Sequence, residues 1–283
     1  MATAADVDAR LLRAWRAAGD RTLCADDAEL TPEVLAERVR GLRGAGYGID
    51  GPLPPGERYR LACAPTRLVA DDLCAALPAG VVAGREIFVF EETDSTNDLA
   101  AQAGRDGVAE GLVFFAESQR AGRGRLGRRW VSPPGRNLLF SVLLRPASVP
   151  AERWSELTFC AALAVAETAE RFTGQAARVK WPNDVLLSGR KVAGILLETH
   201  HAQEPGFVVV GIGLNVLQST DDFPPELRER AGSLAMMRPA GVELERREVA
   251  AFLLTRLDEH YRQWHRDFAP IHASCLRRHA IIP

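Results

Sequence analysis

The apolar positions of this chain change period along its length, and the change divides it. Over residues 6–18, Val7, Leu11, Leu12 and Trp15 fall at i, i+4, i+5 and i+8, the spacing of one helix face. A second helix is expected from Thr31, a capping residue followed by Pro32 at the first helical position. It would run through TPEVLAERVRGLRGAG, bury Val34, Leu35, Val39 and Leu42, and stop in glycines. IDGPLPPGERYRLA then reads as a short hairpin with a Pro/Gly tip. Helix, helix and hairpin outline a small winged-helix-like unit over 1–64. Residues 65–84 read as a connector with a short helix from Val69 to Leu77.

From Arg85 the texture becomes strands alternating with helices. Strands are expected at Ile87–Phe90, Leu112–Ala116, Leu138–Leu144, Ala177–Lys180, Lys191–Glu198 and Phe207–Leu214. Residues 153–172 read as an amphipathic helix with Trp154, Leu157, Ala161, Leu163 and Ala164 inward. Residues 246–267 read as another, with Val249, Phe252, Leu253, Leu257, Tyr261 and Trp264 on one side. This order predicts an α+β fold, one mixed β-sheet with helices packed on a face, rather than a doubly wound one. The expected core spans 85–270, leaving 271–283 as the start of a C-terminal region.

Composition narrows the classes. At 283 residues the chain is long enough for one large domain and a small one. A net charge of −2 argues against a protein that coats nucleic acid. No apolar run approaches the roughly 18 residues of a membrane helix. The N-terminus has early acids and no basic-then-apolar signal layout, so a cytoplasmic location and no membrane partner are expected. Cys24, Cys63, Cys74, Cys160 and Cys275 are scattered without CxxC spacing, which suits reduced thiols rather than disulfides or zinc. The histidines, His260 and His265 included, form no ligand pattern.

Three segments carry candidate chemistry. From Ser118 to Asn137 the chain holds six arginines (120, 123, 125, 128, 129 and 136) and no acid, with Gly122, Gly124 and Gly127 between them. Glycines let backbone approach a ligand closely, and guanidinium forks match carboxylate and phosphate oxygens. The alternative is a solvated basic loop; Walker A and GxGxxG patterns are absent. In ARVKWPNDVLLSGRKVAGILLET, Lys180 ends a strand, Pro182 forces a turn, and Asn183 and Asp184 follow. Lys180, Asp184 and Lys191 on paired strands would hold a triphosphate and its magnesium, a reading that spacing alone leaves level with a surface ion pair. In VVVGIGLNV, Gly211 and Gly213 lie within a buried-looking strand, which often marks close approach by a ligand or another backbone.

DSTN (Asp94 to Asn97), QRAGRGRLGRRW (Gln119 to Trp130), KWPND (Lys180 to Asp184), GRKVAGIL (Gly189 to Leu196) and GIGLN (Gly211 to Asn215) follow one another as in biotin–protein ligases. The chain resembles that family from about Arg85 to Phe268. The resemblance implies a core like that of class II aminoacyl-tRNA synthetases and biotin synthetases. It also implies an activity: biotinyl-AMP made from biotin and Mg-ATP, then transfer of biotin to a lysine of a carboxyl carrier domain. By the same resemblance Ser95, Thr96, Asn97, Gln119, Arg123, Gly124, Arg125 and Lys191 would bind biotin, with Gly194, Gly211 and Gly213 walling its slot. Lys180, Asn183, Asp184, Trp130, Asn137 and Asn215 would contact ATP, Asp184 would hold magnesium, and Lys191, Arg123 and Arg125 would act on the reacting groups.

Two departures from the family qualify this. RTLCADDAEL (Arg21 to Leu30) stands where repressor-type relatives carry much of a helix–turn–helix, and Glu33 and Glu37 sit where DNA contacts are wanted. Both argue against DNA binding. The chain also ends at CLRRHAIIP, before the SH3-like barrel that relatives usually add, so a truncated C-terminal region is expected. Relatives can form homodimers through the core sheet, and no residue pattern here decides it. The competing functions are a lipoate–protein ligase-like enzyme and a biotin-responsive regulator with little ligase activity.

Overall fold

Thr31 caps its helix as the sequence predicts: its side chain accepts from Val34 N, and Pro32 opens helix α2 (Pro32–Gly44). In the computed structural model, which describes residues 4–19, 21–201, 205–241 and 243–280, the chain divides into two units, Met1–Ala76 and Leu77–Pro283. Residues 1–3, part of the segment read for a targeting signal, and the tail 281–283 lie outside the described residues.

The first unit comprises helix α1 (Ala4–Ala18), α2, the antiparallel hairpin β1 (Gly48–Leu53) and β2 (Arg58–Cys63), and helix α3 (Ala70–Ala76). Its core gathers Leu11, Leu12, Trp15, Leu35, Val39, Leu42 and Tyr59, and Trp15 Nε1 donates to Tyr59 O at 2.9 Å. Val34 was expected inside and is 38% exposed, because Leu35, Val39 and Leu42 define the inward stripe and Val34 precedes it by one residue. Part of the expected connector belongs to this core: Ala75 is buried in it and Val69 packs against it. Between the two helices only a single 3-10 turn forms, at Asp26–Ala28.

The second unit is built on a seven-stranded sheet in the order β3-β4-β5-β9-β8-β7-β6. Its strands are β3 (Glu86–Thr93), β4 (Leu112–Gln119), β5 (Asn137–Leu144), β6 (Ala177–Lys180), β7 (Asp184–Leu187), β8 (Arg190–His200) and β9 (Phe207–Asn215). Only β3 and β4 pair in parallel, so the sheet is mixed as expected. Helix α4 (Thr96–Arg105), not anticipated from the sequence, lies on the sheet through Ala100 and Ala101, which pack with Phe114, Phe207 and Val209. Gly104 makes room for the Phe207 ring, which would lie 2.4 Å from a methyl there.

Helix α5 (Leu157–Thr173) contacts both the sheet and the long helix α7 (Arg246–Arg266). Expected to be amphipathic, it is instead buried almost all round; its alanines at 161, 162, 164, 166 and 169 admit neighbours from both sides. Trp154 belongs to a preceding 3-10 segment (Ala151–Glu156) rather than to the helix itself. On α7, Val249, Leu253, Leu257, Tyr261 and Trp264 are buried, while Phe252 is half-buried against Phe172. After the short α6 (Leu234–Met237) and α7 comes α8 (Ala269–Arg277), which buries Ile271 and Cys275. Residues 278–280 then pair with the β6 edge, Val179 N to Arg278 O at 2.7 Å and Ala280 N to Val179 O at 2.9 Å. Residues 271–280 are thus packed on the core rather than leading away from it.

Candidate active site

Three consecutive polar side chains open α4. Ser95, Thr96 and Asn97 are all buried, which is costly unless their polar atoms are bonded. Gln119, at the end of β4, takes Thr96 N at 2.8 Å and lies 3.2 Å from Thr96 Oγ1. Thr96 Oγ1 also meets Ser141 Oγ of β5 at 2.8 Å, and Ser141 donates to Asn97 Oδ1 at 2.6 Å. Asn97 Nδ2 donates to Glu198 of β8 at 2.9 Å. Asn97 fits because residue 211 on β9 is glycine: a methyl there would lie 2.0 Å from Asn97 Oδ1.

The arginine–glycine segment folds as a strap. Arg120 N and Ala121 N continue the pairing with Thr93 O and Asp94 O, Trp130 N returns to Gly122 O, and Gly124 N bonds Arg128 O. A side chain on Gly122 would sit 2.8 Å from Trp130 O, so this return requires glycine there. At the tip, Leu126 takes left-handed φ 58° and is fully solvated. The charge of the strap is less free than its sequence implies. Arg120 pairs with Glu92 and Asp94, and Arg123 pairs with Asp98 at 2.7 Å and Glu198 at 3.3 Å. Burial works to lower the pKa of Arg123, but these two carboxylates outweigh it and raise it. Arg125 reaches across to Asn183 Oδ1 at 3.1 Å, so the strap closes over the β6–β7 turn.

On the far side, Lys180 and Asp184 face each other at the β6–β7 turn, and Asp184 pairs with Gly194 of β8. Asn183 is pinned by Ile195 N to its own O at 2.8 Å and by its Nδ2 to Ile195 O at 3.2 Å. Lys191 Nζ bonds Asp184 Oδ1 at 2.7 Å and stands 5.4 Å from the Trp130 ring centroid. Trp130 lies on the register pair Gly194 and Gly213, where methyls would come within 2.9 Å and 2.7 Å of the indole. These elements enclose a cleft of about 1270 Å³ with Phe140, Leu186, Ile195 and Ile212 among its apolar walls.

The cleft brings together every expected site residue except Asn137. Asn137 is buried at the start of β5, where its Nδ2 donates to Ser132 and Gln218 and lies 3.3 Å from Asn215 Oδ1. Its Oδ1 accepts Val216 N at 3.1 Å, so it braces Asn215 instead of facing the cleft. Sequence reasoning missed Arg178, Trp181, Arg230 and His279 in the lining. Arg178 alternates with Lys180 on the exposed face of β6, a period-two signal that was available. Arg230 and His279 arrive only by tertiary pairing, Lys191 N to Arg230 O at 2.7 Å and residue 279 beside Val179. Among the described residues no cluster of three or more His, Cys, Asp or Glu forms a metal cage. No described helix is long and apolar enough to cross a membrane.

Comparison with known proteins gives a consistent picture. The Biotin/lipoate A/B protein ligase family profile matches residues 89–215. The bifunctional ligase/repressor BirA of Bacillus subtilis is 33% identical over 229 residues, covering 81% of this chain and 69% of that protein. The biotin–[acetyl-CoA-carboxylase] ligase of Mycobacterium tuberculosis is 38% identical over 184 residues, 64% of this chain and 65% of that one. Among solved structures, a biotin protein ligase from Aquifex aeolicus in complex with biotin and ATP superposes with a TM-score of 0.59 at 31% identity, covering 69% of this chain and 78% of that one.

Proposed function

Since the chain belongs to the biotin/lipoate A/B protein ligase family, we propose that it is an ATP-dependent biotin–protein ligase. It joins biotin to ATP as biotinyl-5'-AMP, releases pyrophosphate, and passes the biotinyl group to a lysine of a biotin carboxyl carrier domain. The observation that carries this reading is the composition of one cleft: a bonded polar end at Thr96, Asn97 and Gln119, apolar walls, and a cationic end at Lys180 and Lys191 under the arginine strap. A bicyclic urea with an acyl tail and a triphosphate fit those parts in that order.

The reacting carboxylate belongs to biotin, so the protein need supply no nucleophile. It must hold two anions together and offset the charge that builds as the carboxylate oxygen attacks the α-phosphorus and pyrophosphate leaves. Lys191, Arg125 and Arg123 are the cations assigned to that task. Lys180, Asn183, Asp184, Trp130 and Asn215 are assigned to the nucleotide, Gly194, Gly211 and Gly213 to the walls of the biotin slot, and Ser95, Thr96, Asn97, Gln119 and Gly124 to its recognition. Magnesium arriving with ATP keeps most of its ligands from phosphate and water and needs only one or two protein carboxylates, which Asp184 fits. The bound ion would neutralise phosphate charge. The strap, spanning to Asn183 through Arg125, is suited to exclude water from a hydrolysable anhydride.

The second reading, operator binding, is disfavoured by particular contacts. On α2 and the hairpin, Arg38 pairs with Asp8 and Glu37, Arg58 with Asp27 and Arg60 with Asp50, and Arg43 donates to Ile49 O and Gly51 O. Cations already paired contribute little to counterion release from DNA. A salt-dependent gel shift with nanomolar affinity would reverse that reading. The test of the main reading is a competition: pyrophosphate release should follow biotin and ignore equimolar lipoate, and preference for lipoate would overturn it.

A further inference from the structure

The polar end of the cleft is joined to the arginine strap through a residue that does not line the cleft. Glu198 accepts Asn97 Nδ2 at 2.9 Å and Arg123 Nη2 at 3.3 Å, and its side chain is 30% exposed. An ionised carboxylate only accepts, so Asn97 must turn its amide nitrogen toward Glu198 and its oxygen toward Ser141. Ser141 then gives its single proton to Asn97 Oδ1 at 2.6 Å, and its oxygen is left to accept. The group that supplies it is Thr96 Oγ1, 2.8 Å away. Thr96 therefore directs its proton inward and meets the cleft with lone pairs, while Gln119 Oε1 is held by Thr96 N. An outward acceptor of this kind suits a ligand that donates N–H.

We infer that Glu198 is a positioning residue: its charge fixes the direction of the Thr96–Ser141–Asn97 hydrogen-bond chain and ties that direction to Arg123 of the strap. The inference rests on the proposed reading of this end of the cleft as the part that takes biotin's urea. Ser141 and Asn97 are buried, so no solvent can repair a misdirected proton. Glu198→Gln sets an NH2 group against one of two donors, Asn97 or Arg123. The arrangement that relieves the clash flips Asn97, and every proton in the chain then reverses.

The test is steady-state pyrophosphate release with biotin and ATP varied separately, in wild type and three variants. Glu198→Gln should raise the biotin KM by about tenfold or more while the ATP KM stays within about twofold, the split expected for a lost recognition bond rather than general damage. Asp98→Asn removes the other carboxylate on Arg123 without touching Asn97, and should change the biotin KM by less than about threefold. The exchange Asn97→Asp with Glu198→Gln moves the carboxylate one place along the chain. Ser141 again donates to a carboxylate, and the introduced amide can donate to it and accept from Arg123. This double variant should recover the biotin KM to within about threefold of wild type, and it carries the test should Glu198→Gln alone fail to fold. An unchanged biotin KM in Glu198→Gln, an equal effect from Asp98→Asn, or no recovery in the exchange would overturn the inference. Wild type without biotin-dependent turnover would instead overturn the functional reading, and this inference with it.

Discussion

Gly211→Ala should damage both stability and biotin binding, through a single atom. The added methyl would lie 2.0 Å from Asn97 Oδ1 and 2.9 Å from its Cγ, well inside van der Waals contact. Neither side can retreat as a body. Gly211 sits in β9 between Ser141 of β5 and Leu196 of β8, and Asn97 is in the first turn of a helix anchored by Ala100 and Ala101. The Asn97 side chain must therefore rotate, which breaks its bonds to Ser141 and Glu198 at 2.6 Å and 2.9 Å. Overpacking costs about 1–3 kcal/mol and a stranded buried polar group about 1–3 kcal/mol more, together roughly 2–5 kcal/mol. For a unit of this size the melting temperature should fall on the order of 5–15 °C. Calorimetric titration with biotin should show at least about tenfold weaker binding, the loss of one recognition bond. Gly213→Ala is the internal control: its methyl meets the Trp130 indole at 2.7 Å, but Trp130 is carried by a solvated strap that can yield. Its melting shift should be no more than about 2 °C, in line with an overpacked site that can relax. A Gly211→Ala protein melting within about 1 °C of wild type with unchanged biotin affinity would refute the reasoning.

Three further outcomes are expected. Lys191→Ala removes the cation bonded to Asp184 at 2.7 Å and should cut biotin-dependent pyrophosphate release by about 10²-fold or more, by analogy with a lost oxyanion donor; retention above about a tenth of wild-type rate would remove Lys191 from the reaction. Arg125→Ala breaks the strap's contact with Asn183, so free biotinyl-AMP should appear in solution sooner by rapid filtration, and tight retention would contradict a covering role. Burial by itself would raise the pKa of Glu167, but hydrogen bonds from His260 and Arg256 outweigh it and hold the carboxyl near about 2, below its ordinary 4.5. Its folded pKa is depressed, so its stabilisation is full above about 4.5 and is lost as pH falls toward about 2; Glu167→Gln should flatten acid unfolding through that window, and an unaltered slope would discount the pair.

Much of the catalytic unit could be read from the sequence because its signals are local. Alternating apolar runs placed β4, β5, β8 and β9 to within a few residues, and Pro182 with Asn183 and Asp184 marked the β6–β7 turn. The glycines at 194, 211 and 213 were anticipated as sites of close approach, and each does meet a side chain, though from this chain itself: Trp130 at 194 and 213, Asn97 at 211. What failed to show locally was either short or long-range. Helix α4 was passed over although Ser95 precedes an alanine-rich run with Asp98 three residues on, a usable start signal. The all-round burial of α5 could not be seen without knowing that α7 covers it. The charge of the strap was overread, since Asp98 and Glu198, which neutralise Arg123, lie far from it in sequence. Asn137 carried the expected motif position but turns inward, a choice made by Gln218 and Val216 on a later segment.

The central claim is that this one cleft joins biotin to adenylate and surrenders it to a lysine. Labelled biotin with magnesium-ATP, incubated with and without a biotin carboxyl carrier domain, tests it most directly. The account predicts biotin-dependent pyrophosphate release with about one equivalent of biotinyl-AMP held per chain without carrier, and label moved to a single carrier lysine when it is added. ATP that stays intact in the presence of biotin, with no adenylate on the protein and no label on the carrier, would contradict it.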